Sequence, residues 1–186
     1  HLNIFNDLKN PASAILFFST STLDYSIVDK IVSNALHKAD DGELFMEFCE
    51  SESFVFDDQR LKSASFDKSK GFGLRAVAGE SSGYAHSSDI DEKSLKKASD
   101  TVNFVTKDNN ANFNAAFSQT NRKLYNEANP IDETEFSEKV NVLKNIDEYA
   151  RSKNSQVKQV SASLNGEWQA VRIYRPGGIV IEDLRP

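Results

Sequence analysis

The hydrophobic period of this sequence changes once near its start, and that change decides the fold class. Leu23, Ile27, Val28, Ile31, Val32, Ala35 and Leu36 recur at helical spacing on one face, with Thr22 or Asp24 placed to start a helix. Asp40, Asp41 and Gly42 stop it. From Glu43 the period is two: Leu44, Met46 and Phe48 share one strand face, and Phe54 and Phe56 resume the pattern after Ser51-Glu52-Ser53. A helical stripe and an alternating stripe bury themselves differently, so helix and sheet must both be present.

The polar group Asp57-Asp58-Gln59-Arg60 reads as a turn, and residues 61–66, 71–78 and 83–87 read as three further strands. Gly79-Glu80-Ser81-Ser82 separates the last two. Connections this short require antiparallel neighbours, because parallel strands need long crossovers. A second helix follows, with Asp91 as N-cap, Ile90 and Leu95 as a hydrophobic staple, and Leu95, Ala98, Val102 and Val105 as its buried stripe. Residues 107–129 are rich in Asn and without period, which predicts a long loop. Asp132 and Glu135 predict the start of a third helix, with Ile131 stapled to Phe136 and an apolar face of Phe136, Val140, Leu143, Ile146 and Ala150. Strands are expected at 157–164, 167–175 and 179–184. Asn165-Gly166 is expected as the hairpin turn between the first two, and Pro176-Gly177-Gly178 as the next reversal.

The fold class is therefore α+β: antiparallel β-meanders with three helices. Residues 1–22 are expected as an N-terminal arm and 23–186 as one α+β domain. Within it, 23–106 form a helix-meander-helix part, 107–131 a connecting loop, and 132–186 a helix with a three-strand meander.

Charge and cysteine usage narrow the function classes. Asp and Glu outnumber Lys and Arg by 28 to 22, a formal charge of −6, which opposes attraction to phosphate backbones. Lys93, Lys96 and Lys97 are interleaved with acids, so no direct nucleic-acid binding is expected. The single Cys49 precludes an internal disulfide and fits a reducing, cytoplasmic location. The longest apolar run, 14–18, is too short to span a membrane, so no membrane association is expected.

Catalytic constellations are sparse. The histidines His1, His37 and His86 show no helical pairing that would bind a metal. His86 reads as a surface or structural residue on a strand, and Cys49 as a small packing residue rather than a nucleophile. The Ser, His and Asp residues within 81–89 have turn composition, and a triad is defined by geometry rather than by proximity in sequence. Asp57-Asp58 is explained as a turn. Gly71-Phe72-Gly73-Leu74-Arg75 lacks the Lys-Ser/Thr of a phosphate loop and opens a strand, not a helix. Trp168 and Tyr174 alternate on one strand face as core residues. No catalytic residue, metal ligand or cofactor site is assigned within the chain.

Two stretches carry a resemblance. The first contains Arg60-Leu61-Lys62-Ser63-Ala64-Ser65-Phe66, then Gly71-Phe72-Gly73-Leu74-Arg75-Ala76-Val77-Ala78-Gly79-Glu80, then Ser82-Gly83-Tyr84-Ala85. The second runs Gln159-Val160-Ser161-Ala162-Ser163-Leu164-Asn165-Gly166-Glu167-Trp168 and closes on Asp183-Leu184-Arg185-Pro186. With Asn121-Arg122-Lys123-Leu124-Tyr125 and Asn129-Pro130 between them, they resemble the N-terminal region of the TldD/PmbA family of zinc-dependent peptidases, also labelled candidate modulators of DNA gyrase.

The resemblance implies a longer parent protein with a His-Glu-x-x-x-His zinc helix and a distal Cys ligand downstream, so zinc is expected in the full-length protein and none in this chain. It implies a PmbA/TldE-like partner subunit and unfolded peptides as substrates. Gly71, Gly73, Gly79 and Gly83 are the candidate substrate-binding positions, where backbone or peptide could approach closely. The net negative charge adds an expected mild preference for basic peptides. The alternative function is a non-catalytic binding or regulatory module of the gyrase-modulator type.

Overall fold

The computed structural model describes residues 23–107, 125, 126 and 128–186. The expected N-terminal arm and most of the 107–131 loop, including Asn121-Arg122-Lys123-Leu124, lie outside the described residues. Helix α1 spans Tyr25–Leu36, and Asp24 caps it by accepting from the Ser26 N–H at 2.9 Å. Strands β1 (Asp41–Asp57), β2 (Arg60–Ala78) and β3 (Ser81–Ser87) follow, then helix α2 (Glu92–Thr106). A four-residue helix α3 (Pro130–Glu133) precedes α4 (Phe136–Lys153) and strands β4 (Ser161–Arg175) and β5 (Ile179–Arg185).

The five strands form one antiparallel sheet in the order β3-β2-β1-β4-β5. The α+β class holds, with four helices among the described residues where three were expected. The eight expected strands are five, because β1 runs unbroken through Ser51-Glu52-Ser53, β2 through Asp67-Lys68-Ser69-Lys70 and β4 through Asn165-Gly166. Along β1 every even-numbered position is buried, so polar residues inside the run did not end the strand.

Two turns sit where expected. Asp58 and Gln59 both have positive φ (48° and 65°) and connect β1 to β2 in two residues. Gly177 and Gly178 take positive φ between β4 and β5. The Asn165-Gly166 turn is a correction: both residues lie inside β4, paired with Ser53 and Glu52 of β1. Gly166 serves close approach, since a Cβ there would stand 3.0 Å from Glu52 Oε1.

The main core lies between the helices and one sheet face. Val28, Val32 and Leu36 of α1 and Leu95, Ala98 and Val102 of α2 cover Leu44, Met46, Phe48, Leu74, Trp168 and Tyr174. Full burial of each large apolar side chain contributes about 1.5–3 kcal/mol. Val105 departs from the expected stripe and is exposed, its place on the inner face taken by buried Thr106. A second, smaller cluster of Phe54, Phe56 and Leu143 fills the far end of the sheet beneath α4.

The start of α4 also differs from expectation. Its N-cap is Glu135, with no side-chain capping bond, while Asn129 caps α3 by accepting from the Ile131 N–H at 3.0 Å. The buried face of α4 is Lys139, Leu143 and Asp147, whereas Phe136 and Ile146 are exposed. The reason is electrostatic. Glu50 and Glu52 point into the covered face of β1, and α4 turns a cation toward them.

Candidate polypeptide-binding edges

The sheet leaves backbone unpaired in defined places. β3 pairs β2 only over Phe72–Ala78, so among the described residues nothing extends the sheet beside β2 from Arg60 to Gly71. Residues 62–70 are exposed without interruption. β5 pairs β4 only from Gln169, and β3 and β5 are themselves the outer strands. An edge of this kind presents N–H and C=O groups to any extended chain.

Three of the four glycine candidates lie where the sheet is crowded by its own chain. A Cβ at Gly71 would stand 2.9 Å from the Ser87 carbonyl oxygen, and one at Gly73 would stand 2.7 Å from the Tyr84 hydroxyl. Gly73 thus lies under the Tyr84 ring, which crosses from β3. A Cβ at Gly83 would meet Val105 and the Val102 backbone at 3.2–3.3 Å, so its absence lets β3 approach α2. Gly79 differs: it has φ +58° and open space beside it, and its N–H donates to Asp40 Oδ2 at 2.6 Å. The four do not converge on one point. Gly79 is in the β2–β3 turn, and the others are spread along β2 and β3.

Exposed His86 lies on edge strand β3, its ring centroid 5.8 Å from that of Tyr84. It lines a cleft of about 350 Å³ between β3 and α2, with Ser87, Asp89, Asp91, Lys93 and Lys97. Two of these groups are already engaged locally. Ser87 Oγ accepts from the Asp89 N–H at 3.0 Å, and Asp91 accepts from the Ser94 N–H at 2.7 Å. That backbone bond to Ser94 is the main cause holding the Asp91 carboxyl below its ordinary range.

Cys49 is half-buried on the sheet face opposite the main core. Burial, then the carboxylates of Glu167, Glu47, Asp67 and Glu50, push its thiol pKa up, which disfavours the nucleophilic thiolate. Asp57 accepts from Gln159 Nε2 at 2.9 Å and Asp58 pairs with Arg151 at 2.5 Å, so this turn is tied down rather than poised for acid–base work. Among the described residues no group of three His, Cys, Asp or Glu could hold a metal ion. No helix of the described residues is long and apolar enough to cross a membrane.

A buried polar network escaped sequence reasoning. Glu50 accepts from Asn129 Nδ2 at 2.9 Å and from Lys68 Nζ at 2.5 Å. Glu52 accepts twice from Lys139 Nζ, whose third bond goes to the Ile131 carbonyl. The signal available was the alternation itself, which puts Glu50 and Glu52 on the same face as Phe48 and Phe54. The network fixes α3 and α4 onto the long arms of β1 and β2.

Comparison with known proteins places these elements. Residues 42–102 match the model of PmbA/TldA metallopeptidase domain 1, and 129–186 match the PmbA/TldA metallopeptidase central domain. A Metalloprotease TldD homolog from Haemophilus influenzae is 31% identical over 98% of this chain, which covers 37% of that relative. One from Buchnera aphidicola (of Acyrthosiphon pisum) is 27% identical over 79% of the chain, covering 31% of its length. The chain thus spans about a third of the curated relatives it matches.

Among solved structures, a candidate modulator of DNA gyrase from Bacteroides thetaiotaomicron aligns over 86% of this chain and 38% of its own, with TM-score 0.64 and 13% identity. TldE from Thermococcus kodakarensis aligns over 85% and 36%, with TM-score 0.56 and 13% identity. At such identities the likeness is one of fold.

Proposed function

Because this chain belongs to the PmbA/TldD metallopeptidase family, we propose that it is the N-terminal scaffold and substrate-channel part of a TldD-type zinc metallopeptidase. In this reading the parent enzyme is cytoplasmic and cleaves unfolded peptides together with a PmbA/TldE-like subunit. The observation that carries it is the pair of consecutive family matches, domain 1 followed by the central domain, in a chain covering 37% of the Haemophilus relative. The fold likeness to TldE supports a partner of related architecture.

The described residues do not fit a zinc site, so no step of the reaction is assigned to them. Their part is to hold extended polypeptide. A sheet edge binds main chain through hydrogen bonds and gains affinity with little side-chain selectivity, whereas a folded substrate has its backbone groups already paired. The glycine positions Gly71, Gly73, Gly79 and Gly83 remain the proposed places of close approach, and Gly79 is the one with open space beside it.

The test is to prepare the full-length protein with its PmbA-like partner and compare cleavage of one substrate in unfolded and folded form. Cleavage confined to the unfolded form, and abolished by zinc removal, is expected. Equal cleavage of both, or activity that survives complete metal removal, would refute the assignment.

A further inference from the structure

We propose that the exposed seam of α4 built on Val142, Ile146 and Tyr149 is a docking surface for the same helix of a second copy of this chain, the two helices packing antiparallel about a twofold axis. The inference stands apart from the peptidase reading and uses a surface that reading leaves unassigned.

α4 has two distinct faces. Lys139, Leu143 and Asp147 are its buried line. Roughly a quarter-turn around the helix, Val142, Ile146 and Tyr149 are 49%, 46% and 64% exposed. With Lys153 they are spaced four, three and four residues apart, the spacing by which one helix seats its side chains against another. An extended peptide gains its affinity from unpaired backbone groups at a sheet edge. A helix flank has none to offer, because its N–H and C=O groups are bonded within the helix. The pattern therefore points to a helical occupant.

Charge identifies that helix as a second α4. Glu138 stands one turn before Val142 and Lys153 one turn after Tyr149, on the same side of the helix, and both are exposed. Lys153 Nζ rests 4.6 Å from the Tyr149 ring centroid. Among the described residues neither Glu138 nor Lys153 forms an ion pair. The seam is thus acidic at its N-terminal end and basic at its C-terminal end, and an occupant must present the reverse polarity. An antiparallel copy does so by symmetry. In the register that sets Val142 against Tyr149 of the second copy, Glu138 meets its Lys153 and Ile146 lies beside its Asn145, and the twofold axis repeats each contact. A parallel copy would set Glu138 on Glu138 and Lys153 on Lys153. Lys144 and Glu148, which bridge each other at 3.6 Å, lie off the seam. One helix seam buries less than the about 1,000 Å² that a stable interface clears, so the dimer is weak. The charge of −6 on each copy adds a long-range repulsion that salt screens.

The experiment is sedimentation velocity of this chain from about 10 µM to about 1 mM at near-physiological salt, where a reversible monomer–dimer equilibrium is expected. Glu138→Lys alone and Lys153→Glu alone should each weaken association about tenfold. An equimolar mixture of these two variants should restore it, because opposite charges then meet at both ends of the seam. Glu138→Lys changes the charge of each copy by +2, from −6 to −4, so its loss of association cannot come from overall repulsion. Ile146→Asp, at an exposed position, should abolish the dimer while leaving the urea unfolding midpoint nearly unchanged. Monomer at every concentration, association unmoved by the single reversals, or a mixture no stronger than its components would each overturn the proposal. A chain that stays monomeric, yet binds a PmbA-like subunit and loses that binding with Ile146→Asp, would overturn it in favour of that subunit.

Discussion

Lys139 Nζ lies 2.7 Å from each carboxylate oxygen of Glu52, although 87 residues separate them, and 2.7 Å from the Ile131 carbonyl. Both side chains are almost fully buried. Removing one partner leaves a charge buried without compensation, which typically costs about 3–5 kcal/mol. Lys139→Met is therefore expected to lower stability by that order in urea unfolding. Combining it with Glu52→Met should recover much of the loss, because the desolvated carboxylate is then gone. A single variant as stable as the parent would mean that the pair is not formed.

Gly166 makes room for that carboxylate, and the cost of filling the space should depend on it. Gly166→Ala is expected to destabilise by about 1–3 kcal/mol through crowding. In a Glu52→Ala background the same change should cost less, a coupling of neighbours that a double-mutant cycle reads directly. Additive effects would mean that the space beside Gly166 is not set by Glu52.

Acid should loosen α2 through its cap. The Asp91 carboxyl accepts backbone bonds only in the folded state, and its pKa is lowered below 3.8. A lowered folded pKa means the contribution is fully present above the unfolded value and is lost as pH falls through the folded one. Asp91→Asn keeps an acceptor but does not titrate. Its unfolding midpoint should therefore fall less steeply than that of the parent as pH drops from neutral to below 3.8.

The Cys49 thiol is expected to alkylate slowly in the native chain. Its rate should climb with a midpoint above the ordinary 9.0, since burial and four carboxylates oppose the thiolate. Iodoacetamide rates in native and urea-unfolded protein across this range provide the check. A native midpoint below 9.0 would show that the thiol is activated.

What was legible in the sequence is what single residues dictate locally. Asp24 and Asp91 announced their helices because a cap needs one side chain and one nearby N–H. The Asp58-Gln59 and Gly177-Gly178 reversals followed from turn composition. Asn165-Gly166 had the same composition but lies mid-strand, because a glycine can supply either positive φ or empty space, and only the opposing Glu52 decides which. The face of α4 was hidden for a related reason: its buried Lys139 and Asp147 are held by partners on other turns and strands. The open β2 edge was invisible because strand ends, not strand patterns, determine which backbone stays unpaired.

The four glycine candidates separate by what their missing Cβ makes room for, and that gives a last prediction. Gly83 clears space for α2, so Gly83→Ala should destabilise by about 1 kcal/mol or more and lower peptide cleavage only in proportion to folded protein. Gly79 has φ +58°, and a Cβ there would meet nothing within 4 Å, a conformation Asn also tolerates. Gly79→Asn should thus leave the unfolding midpoint nearly unchanged while placing an amide beside the β2–β3 turn. If substrate passes that turn in the full-length complex, KM for an unfolded peptide should rise with no loss of stability. Unchanged KM and kcat would remove Gly79 from the binding surface, leaving Gly71, Gly73 and Gly83 with the packing roles that Ser87, Tyr84 and Val105 already give them.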